Sequence, residues 1–111
     1  MYVYDKANEL ARSLTESKEY LEYKEVKEQV KTIPEMKEKI DEFEKIRYET
    51  QLLAIQGEEQ NEEKMKKLQE LYAILMQNPK VKEYFDVEVR FNVMLADVNK
   101  IIGEAVKDVL Q

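Results

Sequence analysis

Cysteine, histidine and tryptophan are absent from these 111 residues, and glycine and proline occur twice each. Without cysteine there is no disulfide framework and no thiol nucleophile. Without histidine there is no Ser-His-Asp triad, no imidazole acid–base chemistry and no ordinary zinc finger. Four turn-forming residues are too few to punctuate an all-β fold. Long apolar runs are missing as well: the longest, Leu71–Met76, has six residues, against the roughly 20 needed to cross a bilayer. The opening Met-Tyr-Val-Tyr-Asp-Lys has neither the basic start nor the apolar stretch of a secretory signal. A cytoplasmic location with no membrane partner is expected.

The chain is 43% hydrophobic and 38% charged, which is enough apolar material for one core and too much for disorder. Its length fits a single domain over 1–111. Eighteen basic residues against 24 acidic ones give a formal charge of −6. A chain of that sign is repelled on average by nucleic acid and by anionic lipid. Only Arg12, Arg47 and Arg90 are arginines, and bidentate recognition of phosphate or guanine wants arginine. Lys24, Lys27, Lys31, Lys37 and Lys39 lie close together, but glutamates interleave them, as on a solvated helix face. No direct nucleic-acid partner is expected.

The apolar period is helical almost everywhere. Val3, Ala7, Leu10 and Leu14 mark a first helix over about 3–15. Ser17 is placed to cap a second, about 17–32, with Glu19 in its first turn where a negative charge suits the helix dipole. Ile33-Pro34 is a boundary, because the residue before proline avoids the helical region while proline fits a first turn. The third helix, about 34–56, carries Met36, Ile40, Phe43, Ile46 and Leu53, with Thr50 in the gap, and Gly57 is its natural left-handed terminator. The polar stretch 57–61 reads as a hairpin turn. A fourth helix, about 60–77, carries Met65, Leu68, Leu71, Tyr72, Leu75 and Met76, and Asn78-Pro79 then caps a fifth over about 79–110.

One stretch of the fifth helix alternates like a strand: Phe85, Val87, Val89, Phe91 and Val93 against Asp86, Glu88, Arg90 and Asn92. A lone strand would leave its backbone groups unpaired. A helical stripe also passes through it: Tyr84, Phe91, Leu95, Val98, Ile102, Ala105 and Val109, with Glu88 the one polar interruption. The alternation is therefore read as a helix with apolar residues on more than one face. Such a helix is about 48 Å long, against a diameter of roughly 35 Å for a compact globule of this size. Either the molecule is elongated or a second chain covers what protrudes. Val87, Val89, Val93 and Met94 favour the second chain, so a homodimer, or a pairing with a like-built hetero-partner, is the expected state.

Candidate chemistry is sparse. Asp41, Glu42 and Glu44, or Glu58, Glu59, Glu62 and Glu63, match no calcium loop, which alternates its acids around a glycine. The second group instead complements the dipole of the fourth helix and sets up Glu62–Lys66 and Glu63–Lys67 pairs. Glu88 is expected at a rim, reaching water, with burial beside Arg47 or Arg90 as the alternative. Nothing supplies a catalytic pair of acids, a metal site or a cofactor ligand, and no enzyme is expected. Tyr20, Tyr23 and Tyr48 are candidate partner-facing anchors, since tyrosine is enriched at interfaces. Gly103, with Ala96 and Asn99 on nearly the same face, is a candidate crossing point for two long helices. The candidate oligomer interface is thus Val87, Val89, Phe91, Val93, Met94, Ala96, Asn99 and Gly103.

The order of the pieces carries a resemblance. Ala7-Asn8-Glu9-Leu10-Ala11, Ser17-Lys18-Glu19-Tyr20, Ile40-Asp41-Glu42-Phe43 and Leu75 through Tyr84 together resemble the YlbF/YmcA family of small bacterial helical proteins, in its YheA-like branch. The resemblance spans nearly the whole chain and rests on packing and capping residues. It implies an all-α, elongated, oligomer-forming bundle of about five helices from mainly Gram-positive bacteria. Better-known members are regulatory partners in competence, sporulation and biofilm development, within a complex that influences messenger-RNA processing. Their iron–sulfur role goes with cysteines, and this chain has none. The reading is a non-enzymatic helical interaction protein, with a bundle that holds an apolar small molecule or an unfolded chain as the alternative.

Overall fold

The computed structural model describes residues 2–57 and 62–110, and the described residues are all-α. The helices are α1 (Tyr2–Glu16), α2 (Lys18–Lys31), α3 (Pro34–Ile55), α4 (Glu62–Leu75) and α5 (Pro79–Leu110). The expected turn at 57–61, apart from Gly57, and the first residues of the expected fourth helix lie outside the described residues. The strand-like alternation over 85–93 falls within α5, so helix prevails there.

Each boundary has a local cause. The Ser17 hydroxyl accepts the Tyr20 N–H at 3.1 Å and donates to the Leu14 carbonyl at 2.6 Å, closing α1 and capping α2 with one group. Ile33 is extended, with φ −109° and ψ 91°, as a residue before proline must be. Gly57 ends α3 at φ +75°, in the left-handed region. A Cβ at Gly57 would meet nothing within 4 Å, so a substitution there is penalised by the backbone and not by crowding. Gly57→Ala is expected to lower stability by about 1 kcal/mol in denaturant titration, the cost of a left-handed non-glycine residue. At the head of α5, Asn78 Oδ1 accepts the N–H groups of Lys80 at 2.9 Å and Val81 at 3.4 Å.

The chain divides into two compact units: residues 1–26 with 84–111, and residues 27–83. The central unit is built on the antiparallel α3–α4 pair, with Val30, Ile40, Phe43, Ile46, Leu71, Leu75 and Val81 buried. Leu75 and Val81 are fully enclosed. Phe43 stacks at a tilt on Tyr72 at 5.9 Å, and the Arg47 guanidinium sits 5.5 Å from the Phe43 ring centre.

Lys67, expected to pair along its own helix with Glu63, reaches across to Glu42 of α3 at 2.8 Å, and Lys64 reaches Glu49 at 2.9 Å. The Glu42 carboxylate raises the Lys67 pKa above the ordinary lysine value, through a hydrogen bond and charge attraction. The Lys64 ammonium lowers that of Glu49 in the same way. The Glu49 contribution to stability is present above the ordinary carboxylate value and is lost as pH falls through its lower folded value. The Lys67 contribution is present below the ordinary lysine value and is lost as pH rises through its higher one. Both pairs are solvent-exposed and salt-screened. Melting temperature should therefore be flat between about pH 6 and 9, with a small acid-side loss that shrinks in 1 M salt.

Candidate protein-interaction surface

In the terminal unit α2 and α5 run antiparallel. Tyr20 meets Phe91 at 6.0 Å between ring centres, and Tyr23 meets Phe91 at 5.5 Å and Tyr84 at 5.9 Å. Arg90 reaches Glu22 at 3.6 Å. Tyr84, Phe85 and Val87 are buried beside these contacts. Glu88 is also buried, at 6% exposure, and so is not at the rim where the sequence placed it. It is one of five consecutive positions from Tyr84 of which only Asp86 is exposed. Glu88 falls within that buried face, and the sector of α5 that meets water carries Asp86, Val89 and Arg90 instead.

Beyond that point the burial stops. α1 has no buried residue, although Val3, Ala7, Leu10 and Leu14 keep their helical row, and Val3 is 71% exposed. Every position of α5 from Ile101 to Leu110 is exposed, including Ile101, Ile102, Val106, Val109 and Leu110. Among the described residues, two helix segments thus present apolar rows largely open to water, with Leu14 half-buried.

The eight candidate interface positions fall into distinct environments. Val87 is buried within its own chain at 3% exposure, and Phe91 is half-buried under Tyr20 and Tyr23. Val89 and Val93 are on the other side of α5 and more than half exposed, and Met94 is half-buried beside them. Ala96, Asn99 and Gly103 are exposed, and a Cβ on Gly103 would meet nothing within 4 Å. Of the three candidate tyrosines, Tyr20 and Tyr23 are half-buried in the ring cluster, whereas Tyr48 stands exposed on α3.

An open cleft of about 470 Å³ lies along the outer side of α5, lined by Glu19, Val89, Arg90, Val93, Met94 and Asp97. Glu19, Arg90 and Asp97 were not candidates on sequence. Their signal was positional: Arg90 and Asp97 flank the Val89–Val93 face at helical spacing. In the central unit a smaller cleft of about 220 Å³ is lined by Phe43, Leu68, Gln69 and Tyr72. A polar one of about 300 Å³ is lined by Glu35, Glu38, Lys39 and Glu42. No group of acids among the described residues has metal-holding geometry, and no described helix is long and apolar enough to cross a membrane. The chemistry these surfaces offer is apolar contact framed by charge, which suits protein faces.

Comparison with known proteins agrees on the fold and places the chain. Solved structures with the same fold include a protein of unknown function (DUF964) from Bacillus stearothermophilus, with TM-score 0.81 and 15% identity over 100% of this chain and 97% of that one. Bacillus subtilis RicA, solved in complex with RicF, matches with TM-score 0.63 and 22% identity over 99% of this chain and 97% of that one. Relatives by sequence include UPF0342 proteins of Symbiobacterium thermophilum, 39% identical over 94% of this chain and 93% of the relative, and of Caldicellulosiruptor saccharolyticus, 38% identical over 94% and 87%. The family model described as control of competence regulator ComK, YlbF/YmcA, matches residues 3–107, and the chain belongs to that family.

Proposed function

We propose that this protein is a non-enzymatic, cytoplasmic interaction protein that self-associates as a homodimer and regulates a protein partner by docking helix faces on it. The observation that carries the reading is the apolar surface on α1 and on the outer and C-terminal parts of α5, which no described residue buries. Contiguous exposed apolar surface of this kind marks interaction sites in soluble proteins. The family's link to control of a competence regulator, and a fold neighbour crystallised with a protein partner, support the same reading.

Sedimentation velocity between 1 and 100 μM tests the self-association, with a concentration-dependent shift to twice the monomer mass as the expected result. A folded monomer throughout that range would overturn it. The reading as a holder of apolar small molecules has weaker support, because the clefts are open and shallow rather than enclosed, unlike most small-molecule pockets.

A further inference from the structure

Asp86, Val89, Val93, Ala96, Asp97 and Lys100 share the outer face of α5, at 3.6 residues per turn, and all six are exposed. Val93 is at the centre. Counting outward from it, Asp86 is seven residues before and Lys100 seven after, while Arg90 is three before and Asp97 four after. The sign pattern therefore inverts when the helix is turned end for end. Among the described residues, the side chains of Asp86, Asp97 and Lys100 make no ion pair or hydrogen bond within the chain. Arg90 holds Glu22 through a long, exposed contact at 3.6 Å, and its Nε donates to the Asp86 backbone carbonyl at 3.4 Å.

We infer that this face pairs with the same face of a second copy, with the two α5 helices antiparallel and Val93 on the two-fold axis. The inference rests on the self-association proposed above and names its geometry. In that register Asp86 faces the second copy's Lys100, Arg90 reaches the second copy's Asp97, and Val89 lies over the second copy's Ala96. A two-fold pairing repeats each contact, so four oppositely charged pairs frame the apolar strip. Parallel pairing would set Asp86, Arg90, Asp97 and Lys100 each against its own like charge. The cleft of about 470 Å³ is the groove that the second helix would fill, with Glu19 of α2 as its shoulder.

The scale is that of a reversible dimer. Residues 86–100 span about 22 Å, and two helices across give a width of about 20 Å, hence roughly 450 Å² per copy. That is near half of the ~800 Å² per partner of a standard interface, so dissociation in the micromolar range is expected. Helix axes about 8–10 Å apart, less two Cα radii of about 2.3 Å, bring the Val93 Cα atoms to roughly 3.4–5.4 Å, which overlaps the disulfide range of about 4.4–6.8 Å.

The absence of cysteine makes the test clean. Val93→Cys under mild oxidation is expected to give a covalent dimer on a non-reducing gel, whereas Tyr48→Cys is not. Arg90→Asp should weaken sedimentation self-association about tenfold or more, by creating two acid–acid contacts, and adding Asp97→Arg should restore it. If the native chain sediments as a dimer but Val93→Cys cross-links no better than Tyr48→Cys and the double variant rescues nothing, this face is overturned and the self-association stands. If the native chain is monomeric to 100 μM, both fall.

Discussion

Leu75→Ala is expected to lower the stability of the protein by about 3 kcal/mol, read as a shift in urea midpoint at unchanged slope. Leu75 ends α4 with no exposed surface and sits in the central core with Leu71 and Val81. Truncation removes three side-chain carbons and leaves a cavity that the surrounding helices close only in part. The measured range for buried leucines is about 2–5 kcal/mol. The middle of that range is apt, because the short link to α5 is fixed by the Asn78 cap and cannot slide inward. Against a total of about 5–15 kcal/mol for a domain, one such change leaves a minority of the stability or most of it, according to where the native protein stands. A loss under 1 kcal/mol would show that the α4 end is loosely packed.

Tyr84→Ala is expected to cost about 4 kcal/mol and to release the start of α2 from α5. The ring is 3% exposed and lies 5.9 Å from Tyr23 and 5.4 Å from Phe85. Its loss removes a large apolar contact area and the aromatic pairings together, and such pairs add about 0.5–1.5 kcal/mol beyond burial. Tyr84→Phe keeps the ring and should retain most of the stability, so the two variants separate ring packing from the hydroxyl. Near-ultraviolet circular dichroism reads the tyrosine cluster directly. If Tyr84→Ala leaves that signal intact, the packing described for α2 against α5 is wrong.

Much of the helical plan was legible because its causes are local. Ser17, Pro34, Gly57 and Asn78 act through their own backbone geometry or their own side-chain reach, and each sits where the helix boundary falls. The strand-like run from Phe85 to Val93 was ambiguous for a physical reason. A helix that buries one broad face and keeps an apolar strip on the other shows side chains at both periods. Glu88 was misplaced because its surroundings depend on which other helices close over α5, and no spacing within one helix encodes that. Lys67 shows the same limit, since an i,i+4 partner is visible in sequence and a partner on α3 is not. The candidate interface was half legible: Val89 and Val93 are open, whereas Val87 belongs to the interior and Glu19 enters the cleft from a different helix.

The lack of any buried residue in α1 has an energetic corollary. Fifteen residues are about the shortest length at which an isolated helix holds together in water, so α1 owes little of its order to its own hydrogen bonds. Its opening free energy should lie near the bottom of the range for the molecule, with amide protons that exchange well before those of α4. Whatever covers Val3, Leu10 and Leu14 would then slow that exchange, and the N-terminal amides become a built-in gauge of occupancy.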